Sequence, residues 1–538
     1  MTPKEPISNV PQIVTDDATA VNETLAPSLF TSIGKVVYWN QTPNFNNVNV
    51  HLDPDKEVKP GQFIGVWHGK RGKNTITILR VANTFEINPN ESPELAVARK
   101  ALGLGQGYSG EGFSTRIYRQ AECSTVEEFE VEIDGDQLTT TNDGKAPEQL
   151  CRAGDVAVLL PDQLIQQSFG GLADEKDGIA IGTTYGAGNV KTVISPQMFQ
   201  LHTGVFGNPG KGKSYLSGVI LEEAMSWDIP CLVLDINGEL VEAANSLGGL
   251  VITLPDPKAF GISLNLMTPQ ELVSITPNVQ PNTIYAELIE LAHDQLRNEA
   301  KGSTITFDAL RERIQRIGQS TNASKPSLGA AISRVTALEK DPIIGGNFDF
   351  VDQIVKHKLV VLDCRYLSLR QTQLIAAAGA RELQRIGREM ARKAEAGDKT
   401  AQGWFALYFI DEAHIVIPQD EKVVSTQVFY ELARMGRHVR TGLIIASQSP
   451  QDLNTSVLKR LQTRFIFALE KDQLMSIKAV LSDFDDNLIN QLPKLPRGVC
   501  AVSGTGEVVK HGFVTQVRKR RTPVKGGTPP VFSGRTKK

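Results

Sequence analysis

The feature that most constrains this chain is Gly207-Asn208-Pro209-Gly210-Lys211-Gly212-Lys213-Ser214. The apolar run Thr203-Gly204-Val205-Phe206 precedes it, and a helical face of Leu216, Val219, Ile220 and Ala224 follows. The segment matches G-x-x-x-x-G-K-[ST] in the setting that gives the pattern a mechanism, a buried strand turning sharply into a helix. Backbone N–H groups of such a loop and the helix N-terminus surround phosphate, Lys213 neutralises the outer phosphate oxygens, and the Ser214 hydroxyl can hold magnesium. Gly207, Gly210, Lys211, Gly212, Lys213 and Ser214 are therefore the candidate ATP contacts.

The same grammar repeats downstream. Apolar runs at 231–235, 358–363, 404–411, 442–447 and 464–469 alternate with longer helical patterns, which predicts an α/β core, a parallel sheet with helices on both faces. Between Pro257 and Gly345 the strand pattern stops. Thr268-Pro269-Gln270-Glu271 supplies an N-cap, a proline at the first helical position and a capping-box glutamate, and helical periods follow near 283–297, 307–317 and 327–340. This stretch reads as an all-helical insertion. From about Phe30 to Ser195, short β-branched and aromatic runs broken by Gly, Pro and Asn predict a small barrel or sandwich. Gly105-Gln106-Gly107-Tyr108-Ser109-Gly110 fits G-x-G-x-x-G, but a helical pattern precedes it and a strand follows, so it reads as a loop.

With 538 residues the chain exceeds what one core can hold. The expected organisation is a polar tail at 1–27, a β domain at 28–198, a nucleotide-binding core at 199–515 with its insertion at about 257–345, and a basic arm at 516–538. A hydrophobic share of 41% and a charged share of 22% exclude a disordered or fibrous chain. At a net charge of −3, contact with nucleic acid has to come from a local patch. No apolar run reaches membrane-spanning length and the N-terminus lacks a secretory core, so a cytoplasmic location is expected. Five cysteines without a C-x-x-C pair read as buried thiols.

A phosphate loop needs acidic partners at the end of a second buried strand, and Ala406-Leu407-Tyr408-Phe409-Ile410-Asp411-Glu412-Ala413-His414 supplies them. Asp411 is the candidate magnesium residue and Glu412 the candidate that polarises attacking water. Gln448, just past the run 442–447, is placed to sense the terminal phosphate. Arg434, Arg437 and Arg440 cluster upstream, where an arginine supplied across a subunit interface would be sought, with Arg434 and Arg437 the leading candidates. A two-lobed helicase does not fit: 198 residues separate Lys213 from Asp411, and about 70 remain beyond Arg464.

In order and spacing these motifs, together with Ile179–Ser214 and Ala446–Phe467, closely resemble the HerA family of hexameric DNA translocases, from about residue 30 onward. The resemblance implies a RecA-like core, an N-terminal HAS-type barrel, a six-membered ring and a C-terminal segment that braces the neighbouring subunit. It also implies duplex DNA as substrate and a NurA-like nuclease or an anti-phage effector docked on the barrel. A scaffold that regulates a defence effector and a conjugation or secretion ATPase are the alternatives. Lys213, Ser214, Asp411, Glu412 and Gln448 match the family's ATP site, and Arg365, Arg370 and Lys422 are candidate DNA contacts. Asp235, followed by Gly238-Glu239, matches an acidic family position whose role is either support of the magnesium site or capping of the strand end. Asn208-Pro209 and Lys211 depart from the small residues and serine more usual in relatives.

Overall fold

A computed structural model describes residues 27–37, 43–69, 74–87, 118–135, 137–186, 190–300, 303–421, 423–436, 438–481 and 483–523. The loop at 105–110, Arg437, Lys422 and the arm beyond 523 lie outside the described residues. The chain divides into two units, 1–58 with 63–161, and 59–62 with 162–538.

In the first unit, β1 (Ser32–Val37), β2 (Asn47–Leu52), β3 (Phe63–Trp67), β4 (Thr75–Ile87), β5 (Tyr118–Asp134), β6 (Gln137–Thr140) and β7 (Val156–Leu159) pair in the order β2-β1-β7-β3-β4-β5-β6. All these pairings are antiparallel, and β2 also pairs with β5, from Asn47 opposite Ser124 to Leu52 opposite Arg119. The hydrogen-bonded order of six strands therefore returns to its start. Along β2 the residues Val48, Val50 and Leu52 are buried and those between them are not, the alternation of a strand with one face on a core.

The second unit is built on a mixed sheet. Its strands are β8 (Ile179–Thr184), β9 (Lys191–Ile194), β10 (Thr203–Phe206), β11 (Cys231–Asp235), β12 (Leu250–Thr253), β13 (Leu359–Asp363), β14 (Ala406–Ile410), β15 (Thr441–Ser447), β16 (Thr463–Ile466), β17 (Val499–Gly504) and β18 (Phe513–Val517). The order is β12-β13-β11-β14-β15-β10-β16-β17-β18-β8-β9. From β12 to β16 the neighbours run parallel, and from β16 to β9 antiparallel. Every residue of β11, β13 and β14 is buried, as expected of central strands covered on both faces.

Three findings correct the sequence reading. The sheet is mixed, because β17 and β18 continue from β16 as hairpin-like neighbours that the apolar-run count passes over. Strands 179–184 and 191–194, grouped by pattern with the β domain, extend this second sheet: β8 pairs with β18 through Thr184–Thr515, Thr183–Gln516 and Gly182–Val517. Alternation reports strand type but not which sheet a strand joins. Finally, residues 518–522 of the basic arm pack on the helix Lys213–Ser226 of the same chain.

The stretch 257–345 contains the helices Pro269–Ile275, Ile284–Glu299, Phe307–Ser320 and Lys325–Leu338. The capping box forms as its sequence dictates: Glu271 N–H donates to Thr268 Oγ1 at 3.2 Å and Thr268 N–H donates to Glu271 Oε2 at 2.8 Å. Arg381 on the long helix Leu369–Glu395 forks onto the same Glu271, with Nη1 2.6 Å from Oε1. All five cysteines are buried, with no disulfide among them. Among the described residues no helix is long and apolar enough to cross a membrane.

Candidate active site

Four adjacent parallel strands, β11, β14, β15 and β10, present their C-terminal ends together, the position where open α/β sheets gather ligands. The register is close: Phe206, last in β10, lies opposite Ser447, last in β15, so the phosphate loop starts beside Gln448. Ile410 pairs with Leu234 on one side and Ile445 on the other, which carries Asp411 and Glu412 out between β11 and β15.

The loop itself is shaped by two devices. Lys211 N–H donates to Asn208 O at 3.3 Å, closing a turn with Pro209 first and Gly210 (φ 73°) second at its centre. That is the order a type II turn wants, so Pro209 fits through its fixed φ. Gly212 has φ 126°, and a Cβ there would lie 2.9 Å from Phe467 Cε1. The loop is also tied to the sheet, since Gly498 N–H donates to Lys211 O at 2.8 Å.

Lys213 is buried, with Nζ 2.9 Å from Asp411 Oδ1 and 2.9 Å from Glu412 Oε1. Burial works against its charge, but the two carboxylates outweigh it and push the ammonium above the ordinary lysine range. Asp411 is pushed up from its usual carboxylate value, chiefly by burial; Lys213 opposes this and Glu412 adds to it. Two carboxylates thus share one ammonium in a site shielded from water.

Glu412 is held on every side. Gln448 Nε2 lies 2.5 Å from Oε1, and Asn237 Nδ2 3.4 Å from the same oxygen. Gln448 backbone N–H donates to Oε2 at 3.3 Å, and His414 Nδ1 sits 3.5 Å from Oε2 and 3.1 Å from Ser447 Oγ. Its backbone is left-handed (φ 48°, ψ 50°), which costs a non-glycine residue about 1–2 kcal/mol. Such strain persists only where the surroundings over-determine it, as the contacts to Lys213, Gln448 and Asn237 do here.

The residues suit a hard dication. Asp411 Oδ2 is buried with no hydrogen-bond partner, and Ser214 Oγ donates to Glu239 Oε2. An orphaned carboxylate oxygen, a neighbouring hydroxyl and an excess of negative charge form a donor set of the magnesium kind. The sequence marks Glu239 only as part of the Gly238-Glu239 pair that follows Asp235, and it does not mark Asn237. Asp235 itself caps that loop, its oxygens accepting from Glu239 N–H at 3.0 Å and Leu240 N–H at 2.8 Å. Its carboxyl is pushed up to about 7, by burial first and then by nearby Asp411.

Residues 179–383 match the family model for the central domain of the helicase HerA. The chain is similar to HerA-type ATPases. It is 25% identical over 365 residues to the DNA double-strand break repair helicase HerA of Sulfolobus acidocaldarius, covering 65% of this chain and 71% of that one. The helicase of the same name from Pyrococcus furiosus is 23% identical over 401 residues, 66% of this chain and 71% of the relative. Among solved structures, VirB4 of Thermoanaerobacter pseudethanolicus superposes with a TM-score of 0.48 at 13% identity, covering 65% of this chain and 98% of that one. The similarity to the HerA helicases marks this chain as an ATP-hydrolysing enzyme.

Among the remaining candidates, Arg365 backs the loop that carries Asn237 and Glu239, where a Cβ on Gly238 would lie 2.2 Å from Arg365 Nε. Arg434 is exposed in the last turn of the helix Val424–Met435. Arg440 (φ 49°) donates from Nη1 to the carbonyls of Ala401 and Gln402 at 2.7 and 2.6 Å, so it ties two segments of its own chain. Arg365 forks onto Asp363, with Nε 2.9 Å from Oδ1 and Nη2 2.7 Å from Oδ2, and lies over the Tyr366 ring. Arg370 is exposed, with Nη1 3.2 Å from Ser274 O.

Proposed function

We propose that this chain assembles as a six-membered ring and couples Mg-ATP hydrolysis to movement along duplex DNA. The observation that carries the reading is the convergence of Lys213, Asp411, Glu412 and Gln448 at the ends of adjacent parallel strands. In this reading the loop 207–212 and the helix N-terminus bind the polyphosphate, and Lys213 turns from the carboxylates to the β- and γ-oxygens. Ser214 and Asp411 hold magnesium, which neutralises charge on the phosphates when bound. Glu412, released from Lys213, accepts the proton of a water aligned for attack on the γ-phosphorus, and Gln448 keeps that carboxylate aimed. Arg434 or Arg437 of a neighbouring subunit stabilises charge on the departing phosphoryl group. Arg365, Arg370 and Lys422 line the route of the DNA backbone, where positive side chains bind without reading sequence.

The closed order of strand pairings supports a small HAS-type barrel in the first unit, and we assign it the docking of a nuclease or a defence effector. The repair helicases of similar sequence support DNA as the substrate. The decisive experiment measures ATP turnover with and without duplex DNA together with the native mass. A hexamer stimulated by DNA is expected. A monomer indifferent to DNA removes the motor, and a hexamer stimulated only by a co-purified protein replaces it with an effector scaffold.

A further inference from the structure

The start of the basic arm covers the outer face of the phosphate-loop helix. Glu222 and Glu223, on the helix Lys213–Ser226, are both buried. Arg518 bridges them, with Nη1 2.8 Å from Glu222 Oε2 and Nη2 2.8 Å from Glu223 Oε1. Glu222 Oε1 further accepts the backbone N–H groups of Arg521 and Thr522 and the Thr522 hydroxyl, each at 2.8 Å. A five-residue stretch of chain is thereby fixed on the helix by charge-assisted hydrogen bonds removed from solvent.

Arg520, like Thr522, points inward in this stretch and is only 7% exposed. Its backbone N–H donates to the Tyr215 hydroxyl at 2.7 Å and its Nε to Thr522 Oγ1 at 2.7 Å. Nη1 reaches 3.4 Å from the carbonyl oxygen of Ser214. The guanidinium can lie this close because residue 218 has no side chain: a Cβ on Gly218 would fall 2.2 Å from Arg520 Cζ. The Ser214 carbonyl is thus held from behind by the Arg520 guanidinium, and the Tyr215 hydroxyl by the backbone N–H of the same residue.

We propose that Arg520 is a positioning residue for the metal side of the ATP site, setting the first turn of the phosphate-loop helix and so the Ser214 hydroxyl. The inference rests on the assignment of Ser214 to magnesium in the proposed function. Partners that orient a metal ligand from outside the coordination sphere govern metal affinity more than overall folding.

The test is equilibrium binding of a fluorescent ADP analogue to the full chain at varied magnesium. Arg520→Gln is expected to bind at saturating magnesium while needing about tenfold more magnesium for half-saturation. Gly218→Ala reaches the same contact from the helix side by displacing the guanidinium, and is expected to shift the midpoint in the same direction with residue 520 itself unaltered. Arg520→Lys is expected to fall between, since an ammonium cannot reach both Ser214 O and Thr522 Oγ1 in one fork. If both Arg520→Gln and Gly218→Ala keep the normal magnesium midpoint, or merely lose bound fraction uniformly as misfolded chain would, positioning is overturned. Absence of magnesium-dependent nucleotide binding in the unaltered chain overturns the ATP-site assignment itself, a different result.

Discussion

Gln448 grips Glu412 twice, with its Nε2 2.5 Å from Oε1 and its backbone N–H donating to Oε2 at 3.3 Å. The side chain at the end of β15 therefore sets the direction of the carboxylate at the end of β14. Gln448→Ala is expected to lower kcat about 100-fold, the scale on which one positioned donor matters, with little change in nucleotide affinity. Gln448→Glu should be worse than alanine, because it brings a second carboxylate against Glu412. Steady-state ATP turnover of the two variants, read beside binding, checks the order.

Removing the carboxylate itself separates binding from chemistry. Glu412→Gln keeps the shape of the side chain, so ATP binding should persist while hydrolysis drops by about 100-fold or more. Phosphate release under single-turnover conditions is the measurement. Ordinary turnover in this variant would remove Glu412 as the base.

Lys213→Ala leaves Asp411 and Glu412 buried without their cation, both side chains being at most 5% exposed. Breaking a buried pair of this kind costs about 3 kcal/mol, seen as a lower melting temperature without nucleotide. The deficit has a pH sign. Asp411, whose carboxyl burial pushes up, contributes stability at low pH that is lost as pH rises through its folded pKa, so the variant should recover towards the parent as the solution is acidified. Melting curves of both proteins across a pH series would show the gap narrowing towards the acid end.

His202 gives the opposite sign. Burial holds its imidazole down at about 4, and its Nδ1 accepts Leu443 N–H at 3.0 Å, an arrangement that needs the neutral ring. Because the unfolded chain takes up this proton near the ordinary histidine value, stability should fall as pH drops from about 6.5 through 4, by roughly 3 kcal/mol in total. His202→Gln should flatten that part of the acid unfolding profile, measured by circular dichroism.

The trans-acting arginine is tested by mixing inactive subunits. Arg434→Ala or Arg437→Ala chains combined with Lys213→Ala chains should regain part of the ATPase rate if an arginine completes its neighbour's site. No rescue at any mixing ratio counts against both candidates.

The phosphate loop, the Asp411-Glu412 pair and the central strands are legible in the sequence because each depends on local chemistry. A glycine pattern, a strand-end carboxylate and a fully apolar run mean much the same wherever they occur. Thr268 and Glu271 are legible for the same reason, since a capping box closes within one turn. What the sequence does not determine is everything that depends on which segment meets which. Strands 179–184 and 191–194 look like the β runs before them, yet β8 pairs with β18, more than 300 residues away, because strand pairing is chosen by backbone edges and a shared core. Glu239 meets Ser214, Asn237 meets Glu412 and Arg520 meets Ser214 only once the sheet has brought four strand ends and the arm together. Pro209, by contrast, fits for a local reason, since the turn closed by Asn208 and Lys211 uses its fixed φ, whereas the tie from Gly498 to Lys211 is made only by the folded sheet.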